Sequence, residues 1–381
     1  MAKRLELGIS VGIAGYSVGL SATYAALALH LQSQGHSAFD VALNAAASPL
    51  GMVLCAALLP RISRGPAHKW LLASAFVSAG ALVLCALLPT FWVLWLLRFV
   101  LGLSTNVMFV VGESSLMTIA ERSAVGKTMA LYNALVTLGY ACGPLLVLSG
   151  IGHAGTLAAA SAIMLGLSAP ALLSPELRQI DLSPSRDKVA LSRLSWLARL
   201  LPLILATAAV AIFDNGALSF FPTSAIALGY GERVGASLAS AALVGAVVIQ
   251  IPAGILADRY RKASVLSAFA AAAFLSCSAI YTFALAEAAL LLAAFTAGAA
   301  AFGLYTVVLA SVAEQFSKDL LVTANSMLAL AWGLGSLMGV PTVGAVMDAL
   351  GSKYVGVALA SLFAVALILF WRRSDSKQEL A

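Results

Sequence analysis

Lysine and arginine crowd into every second gap between the apolar stretches of this chain and are almost absent from the gaps in between. Numbering those gaps alternately from the N-terminus puts 19 of the 22 basic residues on one side. The other side holds only Arg233 and Lys353, and Arg98 falls inside an apolar stretch. Short loops rich in lysine and arginine stay in the cytoplasm. Both termini are therefore expected inside, and the number of crossings is expected to be even.

The apolar stretches have the right length for this reading. About 20 helical residues cross a bilayer core, and twelve such runs can be drawn: 7–31, 38–60, 70–89, 91–118, 127–150, 153–173, 200–228, 233–256, 264–286, 288–313, 321–347 and 354–372. The run behind Lys3 and Arg4 is too long for the apolar core of a cleaved leader and reads as the first span. With 61% hydrophobic and only 10% charged residues, the composition excludes a soluble domain. The basic surplus lies in short loops beside the membrane, so anionic lipid explains it and nucleic acid is not expected as a partner. Trp70, Trp92, Trp95, Trp196 and Trp371 read as interface anchors. Cys55, Cys85, Cys142 and Cys277 fall in separate spans, without a C-x-x-C pair, and read as small apolar fillers.

The longest polar stretch, 174–199, contains Pro175 and Pro184 and divides the spans six and six. We expect an N-terminal six-helix bundle over 1–173, a cytoplasmic linker over 174–199 and a C-terminal six-helix bundle over 200–381. The halves repeat their punctuation. Spans two and eight each lead into a basic loop, Arg61–Lys69 and Asp258–Lys262. Spans five and eleven each carry an asparagine, then glycines and a proline: Asn133, Gly139, Gly143 and Pro144, against Asn325, Gly333, Gly335, Gly339 and Pro341. Parallel repeats of this kind are a transporter feature.

Particular residues sharpen this expectation. The segment Gly254-Ile255-Leu256-Ala257-Asp258-Arg259-Tyr260-Arg261-Lys262 resembles the signature loop of the major facilitator superfamily, in its expected place after span eight. The matching stretch after span two keeps Arg61 and Arg64 but has Pro60 at the acidic position. Arg98-x-x-x-Gly102 resembles the superfamily's R-x-x-x-G motif. Gly139-x-x-x-Gly143-Pro144 resembles the G-x-x-x-G-P motif of its drug/proton antiporters, although Leu145 follows instead of the final glycines. The pattern around Glu113 is similar to that of poorly characterised bacterial members. The resemblance implies an all-α membrane protein of twelve transmembrane helices in two pseudo-symmetric six-helix bundles. It also implies a gate built from Arg61, Arg64, Asp258, Arg259, Arg261, Lys262, Gly139, Gly143 and Pro144. Asp258 can accept hydrogen bonds from a neighbouring helix N-terminus or pair with Arg259 or Arg261. Taken alone, the glycine pairs Gly8/Gly12, Gly15/Gly19, Gly139/Gly143 and Gly335/Gly339 read as close helix packing.

Charges inside the membrane are costly without a partner or water, which makes them functional candidates. Asp214, in the middle of span seven beside Asn215, reads as a proton or substrate carboxylate, or as a structural acid. Arg98 lies roughly 10 Å along span four at 1.5 Å per residue. It either snorkels outward or faces inward to bind an anionic group. Glu113 follows it by about 22 Å along the helix and about 60° around it. Proton carriage and pairing with Arg61 or Arg64 both fit its position. Asp40, at the start of span two, is either a third proton-coupling candidate or an exposed acid at a helix N-terminus. Tyr24, Asn106, Asn133, Gln250, Tyr305, Asn325 and Trp332 are candidate substrate contacts; Tyr16, Asn44, Tyr132 and Tyr140 are further polar groups in the spans.

Enzymatic chemistry has no support. Gly126-Lys127-Thr128 looks like the end of a phosphate-binding loop, but the first glycine that loop needs is Glu121. His30, His36, His68 and His153 lack metal-ligand spacing, and no cofactor or metal is expected. We expect a monomeric secondary transporter of a cell inner membrane, working by alternating access on a small-molecule substrate and protons. Export of a small organic compound against protons leads, and proton-coupled uptake of a small metabolite, anionic if Arg98 is its ligand, is the alternative.

Overall fold

The computed structural model describes residues 2–182, 193–230, 232–280 and 286–375. Arg186, Lys188 and Lys377, counted above as cytoplasmic charge, lie outside them, as does Pro184. The described residues form helices α1 (Ala2–Ser33), α2 (Ala38–Ala45), α3 (Ala47–Ile62), α4 (Ala67–Leu87), α5 (Phe91–Ile119), α6 (Val125–Leu148) and α7 (Gly152–Leu172). After the linker come α8 (Arg193–Ala227), α9 (Glu232–Val248), α10 (Gln250–Arg259), α11 (Lys262–Ala279), α12 (Glu287–Gln315), α13 (Leu321–Leu350) and α14 (Val355–Asp375). Eleven stretches among the described residues are long and apolar enough to cross a membrane. The bent pair α9 and α10 makes a twelfth if counted as one span.

Two expected spans are interrupted, both for the same reason. A proline lacks the N–H that bonds to the carbonyl four residues back, and its ring crowds that carbonyl. The residue four before Pro49 is Ala45, where α2 ends. The residue four before Pro252 is Val248, where α9 ends, and the chain turns by 41° into α10. The linker is also not featureless at its start. A 3-10 turn at Pro175–Gln179 is followed by a single antiparallel bridge between Pro66 and Asp181. Its hydrogen bonds run from the Ala67 amide to the Ile180 carbonyl (2.7 Å) and from the Leu182 amide to the Gly65 carbonyl (2.9 Å).

The chain divides into two compact units. The first is Met1–Glu121, Leu131–Asp187 and Phe316–Leu330; the second is Arg122–Ala130, Lys188–Gln315 and Ala331–Ala381. Each unit thus takes a short piece from the other half of the sequence, unlike the contiguous halves expected.

Inside each unit the helices pair in the same pattern. In the first, α1 packs on α7 and α5, α3 on α5, and α4 on α5 and α7. In the second, α8 packs on α14 and α12, α9 on α12, and α11 on α12 and α14. The closest contacts repeat as well. A Cβ on Gly51 of α3 would lie 2.2 Å from the Phe99 carbonyl oxygen, and one on Gly102 of α5 would lie 2.0 Å from that of Ser48. In the second unit, a Cβ on Gly245 of α9 would lie 2.1 Å from the Phe295 oxygen, and one on Gly298 of α12 would lie 2.0 Å from the Ala242 oxygen. Gly139 approaches the Ala14 carbonyl of α1, and Gly335 approaches that of Ala208 of α8. Only glycine permits this backbone contact, and in lipid such contact supplies much of the packing energy. Against α7 the fit is looser: a Cβ on Gly12 would lie 3.3 Å from Ser168 Cα and one on Gly15 3.1 Å from Met164 Cα, while one on Gly8 would make ordinary contact with Ala171. Serines add hydrogen bonds between helices: Ser74 donates to the Ser104 carbonyl at 2.6 Å, and Ser78 meets the Ser104 hydroxyl at 2.6 Å. Large apolar side chains such as Phe76, Trp92, Leu148 and Leu275 face outward, as lipid-facing surfaces require. Cys55, Cys85 and Cys277 are buried fillers, whereas Cys142 is exposed.

Candidate functional site

Helix α5 carries both buried charged side chains of the first unit's described residues, Arg98 and Glu113, and buried Asn106 between them. Arg98 does not snorkel; its side chain is fully buried. Its Nη1 donates to Asn44 Oδ1 at 3.3 Å, and the guanidinium carbon lies 4.8 Å from the centre of the Tyr24 ring. Asn44 is held in turn by donating Nδ2 to the Phe91 carbonyl at 3.0 Å. Among the described residues, no acceptor meets Arg98 Nε or Nη2, or Asn106 Nδ2, in hydrogen-bonding geometry, and all three are buried.

Four helical turns along α5, Glu113 accepts a hydrogen bond at 2.7 Å from the hydroxyl of buried Tyr132 on α6. It does not pair with Arg61 or Arg64. Both arginines are exposed, and Arg61 Nη1 donates to the carbonyl of Ala57 on its own helix at 3.0 Å. Next to Glu113, Ser114 Oγ accepts from Asn325 Nδ2 at 3.0 Å. Asn133 is buried on α6. Asp40 takes the structural role. It accepts from the amide and hydroxyl of Ser37 and completes a capping box at the start of α2, with His36 at 3.9 Å.

In the second unit, Asp214 on α8 is half-buried and has no hydrogen-bond or ion-pair partner among the described residues. It borders a void of ≈ 10 Å³, room for one water, with apolar walls that include Phe213, Ala239 and Phe302. Its neighbour Asn215 donates to Ser336 on α13 at 3.1 Å. Gln250, at the start of α10, donates to the Ala246 carbonyl at 3.0 Å and accepts from Thr306 on α12. The rings of Tyr305 and Trp332 lie 4.9 Å apart, with Phe302 6.4 Å from Trp332.

The signature loop is built differently from an acid–arginine cluster. Asp258 pairs with neither Arg259 nor Arg261, both of which are exposed. Its two carboxylate oxygens accept from the backbone amides of Gly126 (2.6 Å) and Lys127 (3.0 Å) in the first turn of α6. The residue before that turn is Ala124, which has no side chain able to cap it, so Asp258 supplies the cap from another helix. Gly126 is needed for the approach, since a Cβ there would lie 2.4 Å from the Gly254 carbonyl oxygen. The tripeptide that imitates a phosphate-binding loop is thus the recipient of this carboxylate. Lys262 is ion-paired with Glu314 of α12, a partner that sequence reasoning did not single out. Gly139 and Gly143 pack against Ala14, Ser21 and Ala22 of α1, and Pro144 lies within a continuous α6.

Within each unit, then, sparse ionisable groups are set among apolar helices: Arg98 with Tyr24, Glu113 with Tyr132, and Asp214 with no partner among the described residues. Duplicated six-helix bundles of this design, with apolar outer faces and isolated interior charges, define a polytopic membrane transporter rather than an enzyme. The chain belongs to the Major Facilitator Superfamily, whose sequence profile matches residues 8–231 and 203–381. It is 28% identical over 344 residues to the uncharacterized MFS-type transporter YcaD of Escherichia fergusonii, covering 85% of this chain and 83% of that protein. The YcaD of Salmonella paratyphi B is 27% identical over 345 residues, with the same coverage, 85% and 83%. Among solved structures, a bacterial homologue of the iron transporter ferroportin in an outward-facing state superimposes with a TM-score of 0.79 at 13% identity, covering 98% of this chain and 99% of that one. The Escherichia coli fucose:proton symporter FucP gives 0.73 at 17% identity, covering 96% and 98%. These structures share the fold. The chain is a multi-pass secondary transporter of that superfamily.

Proposed function

We propose that this chain exports a small organic compound in exchange for protons by alternating access, with Glu113 as the principal proton carrier. The observation that carries this reading is the environment of Glu113. It is a carboxyl buried inside a helical bundle, held by a neutral phenol, with no basic side chain paired to it among the described residues. A buried acid used only for structure would gain from a cation partner, because an unpaired charge is strongly disfavoured there. A group meant to take up and release a proton gains from its absence. Asp214, which likewise has no partner among the described residues, is a second carrier on the same argument. Export follows from the likeness of Gly139-x-x-x-Gly143-Pro144 to the antiporter motif. The placement of both termini on the cytoplasmic side rests on the distribution of lysine and arginine. The Asp258 cap on α6 is a gating contact in this scheme.

Cells producing the chain should accumulate less of an exported compound than cells without it. An uncoupler that collapses the proton gradient should remove the difference. Higher accumulation in producing cells, abolished by the uncoupler, would reverse the direction assigned here.

A further inference from the structure

Arg98 is a cation without a counter-ion. It is fully buried within the first unit, and no acid pairs with it among the described residues. Its contacts are an amide oxygen, Asn44 Oδ1, and Tyr24, whose ring face lies against the guanidinium and whose hydroxyl also interacts with it. These orient the guanidinium without neutralising it. A buried unpaired charge is among the least favourable arrangements inside a protein, and more so in lipid.

The two nitrogens left without partners are Nε and Nη2. These two N–H groups lie along one edge of the planar guanidinium and point the same way. Nη1, which lies off that edge, is the nitrogen engaged by Asn44. The free edge is the fork that accepts a carboxylate through two parallel hydrogen bonds. The support is built from three helices. Tyr24 comes from α1, Asn44 from α2 and Arg98 from α5, and Asn44 is itself locked by its bond to the Phe91 carbonyl. The guanidinium therefore cannot turn freely to satisfy its donors elsewhere.

We propose that the Nε–Nη2 edge of Arg98 is a binding site for the carboxylate of a small organic acid, held side-on within the first unit. One fixed cation matches one negative charge, which favours a monocarboxylate group over a doubly charged phosphate. The planar fork favours a carboxylate over a halide, which can use only its charge. The side chain is closed off in this conformation, so the ligand enters when the transporter opens. This names a cargo chemistry that the proton-exchange reading leaves open, and it is tested by binding alone, with no proton gradient involved.

The test uses the full-length chain purified in detergent, at fixed pH and fixed ionic strength. Formate, acetate and benzoate are titrated against chloride and phosphate, followed by thermal unfolding and by calorimetry. The carboxylates should raise the unfolding temperature saturably, and chloride and phosphate should not. Arg98→Lys keeps the charge but loses the fork, and should weaken carboxylate binding by about tenfold or more. If no carboxylate stabilises the unaltered chain, or if chloride matches the carboxylates, the proposal is overturned. That series needs no variant, so a poorly folding Arg98→Gln would not obscure the result.

Discussion

Glu113→Gln should bring transport driven by a pH gradient down to the level of vesicles lacking the protein, while leaving the chain folded. The substitution preserves shape and keeps an oxygen able to accept the 2.7 Å hydrogen bond from Tyr132. Replacing a buried carboxyl by its neutral isostere adds no unpaired charge to the bundle, so the unfolding temperature should stay within a few degrees of the parent. What is lost is the proton. A glutamine cannot take one up on one side of the membrane and release it on the other. Exchange of labelled for unlabelled compound across equal pH needs no net proton movement and should survive. Tyr132→Phe removes the phenol but leaves the carboxyl and should slow coupled transport without stopping it. Glu113→Gln vesicles that respond to a pH gradient at the parent rate would take Glu113 out of the mechanism.

Gly102→Ala and Gly298→Ala should each sharply reduce the yield and unfolding temperature of the protein. The added methyl would have to sit 2.0 Å from a backbone oxygen, that of Ser48 in one case and Ala242 in the other. A side chain can turn away from such a clash, but two helix backbones must part along their length. Overpacking a protein interior costs about 1–3 kcal/mol and occasionally more. These contacts belong at the upper end, because separation also loosens the neighbouring contacts at Gly51 and Gly245. Gly80→Ala and Gly166→Ala are the controls. Nothing lies within 4 Å of a Cβ at either position, so both should be stable. Gly102→Ala unfolding at the temperature of Gly80→Ala would show that close α3–α5 contact does not hold the first bundle together. The same comparison for Gly298→Ala tests the equivalent α9–α12 contact.

The helices were legible because lipid leaves the backbone few options. Any segment crossing it must satisfy its own hydrogen bonds, so a long apolar run is a helix almost by necessity. The breaks at Ala45 and Val248 lie four residues ahead of Pro49 and Pro252, but Pro144 and Pro341 sit inside unbroken helices, so a proline alone does not mark a break. Other features depend on how helices rotate and on which distant residues they meet. Arg98 could equally have snorkelled, since 1.5 Å of rise per residue gives depth but not facing. Its neighbour Asn44 is 54 positions away. The partner of Asp258 is further still, 132 positions back at Gly126, and it is a backbone amide that no side-chain pattern advertises. Asp40 was ambiguous for a local reason. A helix-capping acid and a membrane carboxylate look alike until the Ser37 hydroxyl is seen bonded to it. The matching of Gly51 with Gly245 and of Gly102 with Gly298 was invisible because glycine is common in these spans. Only the carbonyl each one touches gives it a counterpart in the other half.

The most direct test of proton-coupled export is the direction of proton movement in vesicles. The purified chain is reconstituted with a pH-sensitive dye trapped inside, and a panel of small organic compounds is added outside without an imposed gradient. A compound that enters through an exchanger drives protons out, so the interior should become more alkaline, and Glu113→Gln vesicles should show no such change. Acidification of the interior as the compound enters, or entry with no pH change for every compound carried, would contradict the account.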